Sequence, residues 1–180
     1  MTKDNQAPGS VRIAVVVGNP KRRSRTFQVA SAAASALAAV LPRPADITEV
    51  DLADYARQVF DQDNPAMVRL AAEVPGHDVI IAASPTYKAT YTGLLKAFFD
   101  RFPANGLAGI AAVPVMVGAA RLHALAPEVH LRPLLVELGA VVPSRGLFVT
   151  EGDLDRLECI AATWAETAGP LVARVLRSAV

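Results

Sequence analysis

Nine consecutive residues, Gly-Asn-Pro-Lys-Arg-Arg-Ser-Arg-Thr at positions 18–26, carry the densest chemistry of the chain. Small and turn-forming residues lead in. Three hydroxyl or amide side chains (Asn19, Ser24, Thr26) and four cations (Lys21, Arg22, Arg23, Arg25) follow, just before a helix-forming stretch. A helix start leaves backbone N–H groups unpaired and carries a partial positive charge. Ser24, Arg25 and Thr26 added to that field make an anion site suited to a phosphate monoester. The spacing is neither G-x-G-x-x-G nor G-x-x-x-x-G-K-[ST], which argues against a dinucleotide turn and against an NTPase loop. Taken alone, the same nine residues also read as a solvated basic turn closed by a Ser or Thr cap.

Two further loops carry side chains of interest. Residues 84–93, SPTYKATYTG, hold Pro85 with its fixed dihedral, Tyr87 and Tyr91 with flat faces and phenol groups, and Thr92-Gly93 near a helix start. Backbone amides and flat side chains suit a large planar ring; an ordinary turn with a packed tyrosine is the alternative. Residues 118–123 open with Gly118, which permits close backbone approach. That loop by itself is equally a simple connection. The signal lies in the three together.

The elements that must position these loops alternate. Residues 11–17 (VRIAVVV) form a β-branched run that predicts a strand buried on both faces. An alanine-rich helix is expected over 25–41, stopped by Pro42 and Pro44. Residues 46–52 alternate apolar and polar, as an edge-side strand does, and 64–73 predicts a short helix with Pro65 in its first turn. A second buried strand is expected over 77–84, a helix over 92–102, and a third core strand over 111–117 despite Pro114. Then come a helix over 127–138 capped by Gly139, a last strand region over 140–149, and a long helix opened by Asp153. Strand–helix alternation repeated about five times implies a parallel sheet with helices on both sides. In such sheets ligands bind beyond the carboxyl ends of the strands, which places all three loops on one rim.

The chain has 180 residues, 52% of them hydrophobic, and a formal charge of +1. That fits one domain over residues 11–180, and nothing global points to nucleic acid. No apolar run approaches the ~20 residues a membrane span needs. Residues 1–10 lack a basic start and an apolar stretch, so they read as a short mobile tail and not a signal peptide. One cysteine, Cys159, cannot form an internal disulfide, and a cytoplasmic setting is the simple inference. Cys159 and Trp164 on the last helix are expected in the core. His77, His123 and His130 form no metal pattern. Lys96 and Asp100 are spaced as an i, i+4 pair.

The residues resemble an NADPH-dependent FMN reductase of the flavodoxin-like superfamily. GNPKRRSRT is similar to that family's G-S-x-x-x-x-S-R-S/T phosphate loop, with Asn19 where serine is common. SPTYKATYTGLLKAFFDRF matches S-P-x-Y-x-x-x-Y-x-G-x-L-K-x-x-x-D, the most specific stretch, and HALAPEVHLRPLLVELGA resembles the family's H-x-L-A…L-R-P-x-L-x-x-L-G-A region. The likeness runs from about residue 11 to 148. It is greatest to reductases that feed two-component monooxygenases. Some relatives of that type carry an aromatic insertion in the fourth helix, where this chain has Val129 and His130.

The resemblance implies a flavodoxin-like open five-stranded parallel sheet of order 2-1-3-4-5. It implies FMN and NADPH as cofactors, hydride transfer without a catalytic side chain, and a homodimer or homotetramer formed partly through the helix after the second loop. Ser24, Arg25 and Thr26, with Asn19, would hold the FMN phosphate. Pro85, Thr86, Tyr87 and Lys88 would line the ribityl chain and ring, and Gly118 and Ala119 would approach its other edge. Lys21, Arg22 and Arg23 are candidates for the extra phosphate of NADPH, or solubilising charge. Other functions remain open at this point: an FMN-retaining quinone or azo reductase, a flavodoxin-like electron carrier, and a flavin-free binding module. Carriers tend to be strongly acidic, unlike this chain.

Overall fold

The computed structural model describes residues 9–178. The expected tail over residues 1–10 thus lies, for residues 1–8, outside the described residues. Three runs of β-branched and small apolar residues, β1 (Val11–Val17), β3 (Val79–Pro85) and β4 (Ala111–Gly118), form the centre of a five-stranded sheet. Every residue of β3 and β4 is buried, as a strand covered on both faces requires. β2 (Ala45–Asp51) and β5 (Leu147–Thr150) are the edges. The order is β2-β1-β3-β4-β5, and every pairing is parallel.

Alternate residues of each strand serve opposite faces. Val11, Ile13, Val15 and Val17 of β1 pack with α1 (Arg25–Val40) and α5 (Leu157–Ser178). Ala14 and Val16 face α2 (Pro65–Glu73), α3 (Gly93–Phe99) and α4 (Arg132–Glu137). Because α1 and α5 lie side by side on one face, the segments that lead into them meet on the rim where β1, β4 and β5 end.

Pro114 stays in β4 for a geometric reason. N–H groups along a parallel strand alternate sides: Ala111 N donates to Asp78 O on the β3 side, and Ala112 N to Val141 O on the β5 side. Pro114 falls on the same side as Ala112, in the gap between the Val141 contact and the start of β5 pairing at Val115 and Leu147. The missing donor therefore faces a break in the ladder.

Four expectations need correction. The fourth helix opens as a π-turn over Pro127–Leu131 before α4 begins. The wide turn is closed by Arg132 N donating to Pro127 O, and Pro133 in the first turn of α4 has no N–H to give the Val129 carbonyl. The last strand covers only Leu147–Thr150, with Val141 joined to Ala111 by an isolated bridge. Asp153 does not cap α5; it lies inside a 3-10 turn, Glu151–Arg156, that precedes the helix. Cys159 is exposed, because it falls on the outer face of α5, whereas Trp164 is buried and donates to Arg145 O at 3.0 Å. Gly139 does close α4: at φ +85° its N–H reaches Val136 O and the next N–H reaches Leu135 O.

Candidate functional site

The loops after β1, β3 and β4 converge on a cleft of about 300 Å³. Ser24 is the N-cap of α1, and its Oγ accepts from Phe27 N at 3.2 Å. Asn19 is buried and closes the loop on itself: Nδ2 donates to Thr26 Oγ1 at 3.1 Å and Oδ1 accepts from Lys21 N at 2.9 Å. Both hydroxyls accept a bond in this arrangement and keep their own protons to donate. Ser24 and Thr26 line the cleft together with the first free N–H groups of α1.

The turn before Ser24 is held by a residue that sequence reasoning missed. Asp51, at the end of β2 and buried, accepts from Arg23 N at 2.9 Å and from Ala53 N at 3.2 Å. The first bond fixes Arg23 in the left-handed region, φ 47°. The Arg23 guanidinium lies 4.5 Å over the Phe27 ring and 3.8 Å from Glu49, and Arg22 pairs with Asp54. Neither arginine lines the cleft. Lys21 and Arg25 do.

Thr92 joins the first loop to the second. Its Oγ1 donates to Gly18 O at 2.5 Å and accepts from Leu95 N at 3.1 Å, which caps α3. Its N–H donates to Ser84 Oγ at 3.0 Å, and that hydroxyl donates to Pro85 O. Gly18 makes the approach possible, since a Cβ there would stand 2.3 Å from Leu95 Cβ. Beyond Pro85, Thr86 N donates to Val117 O at 2.7 Å. Tyr87 and Thr90 then exchange backbone hydrogen bonds around Lys88 (φ 51°) and Ala89 (φ 71°), a two-residue turn of the primed type. That turn projects an exposed Tyr87 along the cleft and carries Lys88 outside its lining.

Gly118 and Ala119 form the third wall. A Cβ on Gly118 would meet Phe148 Cζ at 2.8 Å and Thr86 Oγ1 at 3.4 Å, so only glycine allows this closeness. Thr86 Oγ1 is buried, lines the cleft and has no hydrogen-bond partner. An unpaired buried hydroxyl is costly, and a ligand with polar substituents along its chain would satisfy it. The donor set of Ser24, Thr26, Arg25, Lys21 and the α1 N–H groups suits a terminal phosphate. The flat face of Tyr87 beside Pro85 and Gly118 suits a ring. These features fit a flavin mononucleotide.

Comparison with known proteins settles the class. A family model for NADPH-dependent FMN reductases matches residues 11–155. The chain belongs to this family. It is therefore an oxidoreductase that works with FMN and a reduced nicotinamide nucleotide. Over 167 residues it is 28% identical to the FMN reductase (NADPH) of Pseudomonas aeruginosa, covering 91% of this chain and 86% of that protein. The NADH-dependent FMN reductase SfnF of Pseudomonas fluorescens is 29% identical over 170 residues, 92% of this chain and 86% of its own. Among solved structures, the apo form of the NADH:FMN oxidoreductase EMOB superposes with a TM-score of 0.75 at 28% identity, over 87% of this chain and 89% of that one. An oxidoreductase from Corynebacterium diphtheriae superposes at 0.81 with 23% identity, over 93% and 98% of the two chains, a likeness of fold.

Residues outside the cleft have other duties. His77 Nδ1 lies 3.1 Å from Val74 O at the turn before β3, and His123 and His130 are half-buried and not part of the lining. Lys96 and Asp100 form the i, i+4 pair on α3, and the hydrogen bond to Asp100 holds the lysine pKa above its ordinary value. Among the described residues no helix is long and apolar enough to cross a membrane. Val117 and Glu151 are lining residues that sequence reasoning did not anticipate, and Glu151 pairs with Arg25.

Proposed function

We propose that this chain reduces free FMN with NADPH and releases the reduced flavin to a partner monooxygenase. The single observation that carries the reading is the cleft itself. It holds two proton-donating hydroxyls and two cations at the head of α1, and an unpaired Thr86 hydroxyl leads toward Tyr87 and Gly118. In this reading Ser24, Arg25, Thr26 and the α1 N–H groups bind the phosphate. Asn19 orients Thr26. Thr86 pairs with the ribityl chain, while Pro85, Tyr87, Gly118 and Ala119 bound the ring and exclude water from one side. FMN held by these residues would supply the hydride-accepting chemistry of the reaction. The protein contributes position and field, and no side chain is required as acid or base.

Lys21 is the sequence candidate for the second nucleotide that stands at the cleft, while Lys88 is not part of the lining. Arg22 and Arg23 are engaged by Asp54 and Glu49, so a role for them in choosing NADPH over NADH needs those pairs to open. A homodimer or homotetramer in the cytoplasm remains part of the proposal. Steady-state oxidation of NADPH with FMN as the varied substrate tests it. Saturation with FMN and escape of reduced flavin support the reductase. Turnover only with a quinone, with flavin never leaving the protein, overturns the release of flavin to a partner. Parallel runs with NADH decide the nucleotide, since relatives of both preferences match the chain.

A further inference from the structure

We propose that Glu151 sets how tightly the site holds FMN, by competing with the flavin phosphate for Arg25. The inference rests on the phosphate placement given above and assigns a role to a residue that no sequence motif marked. Arg25 is the first residue of α1, and Glu151 follows directly on β5. The packing of α1 beside α5 brings the two heads together, and the carboxylate pairs with the guanidinium. Both lie on the cleft wall that also carries Ser24 and Thr26.

The turn that carries Glu151 is held through Asp153, which accepts from Thr150 Oγ1 at 2.6 Å and pairs with Arg156. The Arg25–Glu151 pair itself is about half exposed, and such pairs are weak. A phosphate dianion can take Arg25 from the carboxylate at small cost. Afterwards it must share the site with an unpaired anion. Lys21 and Arg25 against Glu151 leave the lining with a net charge of only +1, facing a ligand of nearly two negative charges. A site built to retain FMN has no use for that carboxylate. A site from which FMN must leave after reduction does.

Fluorescence titration at low salt, with FMN and with riboflavin, tests this on the wild type, Glu151→Gln, Glu151→Ala and Arg25→Ala. Removing the carboxylate charge is expected to tighten FMN about fivefold, the scale of unit-charge interactions across a hydrated site. Riboflavin, which has no phosphate, is expected to move less than about twofold in the same variants. The gain is expected to shrink as salt is raised. Arg25→Ala should weaken FMN and spare riboflavin. If it does so while both Glu151 variants bind FMN as the wild type does, or tighten riboflavin equally, the role of Glu151 is refuted and the phosphate site stands. If Arg25→Ala leaves FMN binding unchanged, the placement of the phosphate is wrong, and the role of Glu151 falls with it.

Discussion

Replacing Thr92 by valine keeps the shape of the side chain and removes one hydroxyl. That hydroxyl makes two bonds in a buried place: it caps α3 through Leu95 N and donates to the Gly18 carbonyl at the end of β1. Loss of an N-cap costs about 1 kcal/mol. A buried carbonyl left without its donor costs about 1–3 kcal/mol more. The sum is about 2–4 kcal/mol, or a fall of roughly 5–15 °C in Tm for a domain of this size. Urea denaturation followed through the fluorescence of Trp164, the sole tryptophan, measures it. Thr92→Ser keeps the hydroxyl and is the control, expected to lose only the burial of one methyl, about 1 kcal/mol. Affinity for FMN should fall in Thr92→Val, because the same hydroxyl ties the phosphate loop to the loop that carries Thr86 and Tyr87. The reasoning is refuted if Thr92→Val unfolds within about 0.5 kcal/mol of the wild type, the range of neutral surface changes. It also fails if the serine variant is destabilised as much as the valine.

Two further substitutions test the frame around the site. Gly18→Ala would place a methyl 2.3 Å from Leu95 Cβ and 2.9 Å from its Cα, so β1 and α3 must part. A loss of about 2–3 kcal/mol is expected from such overpacking, read as a lower urea midpoint at unchanged m; a loss below about 1 kcal/mol contradicts the close approach. Glu128 accepts from Arg132 Nε and Gly146 N, both at 2.7 Å, and so ties the π-turn to the segment before β5. Burial acts to raise its pKa, but the bonds from Arg132 and Gly146 outweigh it, and the folded value lies below the ordinary glutamate range. A depressed folded pKa means the stabilisation is complete above the unfolded pKa and is lost as pH falls through the folded one. Glu128→Gln is therefore expected to cost about 1–2 kcal/mol at pH 7 and progressively less in acid. A difference from wild type that does not change with pH would contradict the assignment.

Much of the fold was legible because its signals are local. The β-branched runs at 11–17 and 79–83, the alanine-rich helix and the alternation of elements implied a parallel sheet with helices on both sides, and the family resemblance implied the order that the structure has. The capped, cationic start of α1 was legible because a helix cap and its cations are contiguous in sequence. The rest was decided in two ways, by a proline inside an expected helix and by packing between elements. Pro133 has no N–H for the carbonyl four residues back, and the expected α-helix opens as a π-turn. The exposure of Cys159 depends on which face of α5 meets the sheet, and short-range pattern left that open.

The sequence by itself determined the elements, the parallel class of the sheet and the residue types on one rim, since those follow from propensity, period and local capping. Only the tertiary structure decided how that rim works. Asp51 reaches Arg23 from the edge strand, Thr92 spans 74 positions to Gly18, and Glu151 comes from the far end of the sheet to Arg25. Each is a contact between segments remote in sequence. No local pattern encodes such a contact, because it exists only once the packed helices and strands bring the two groups within reach.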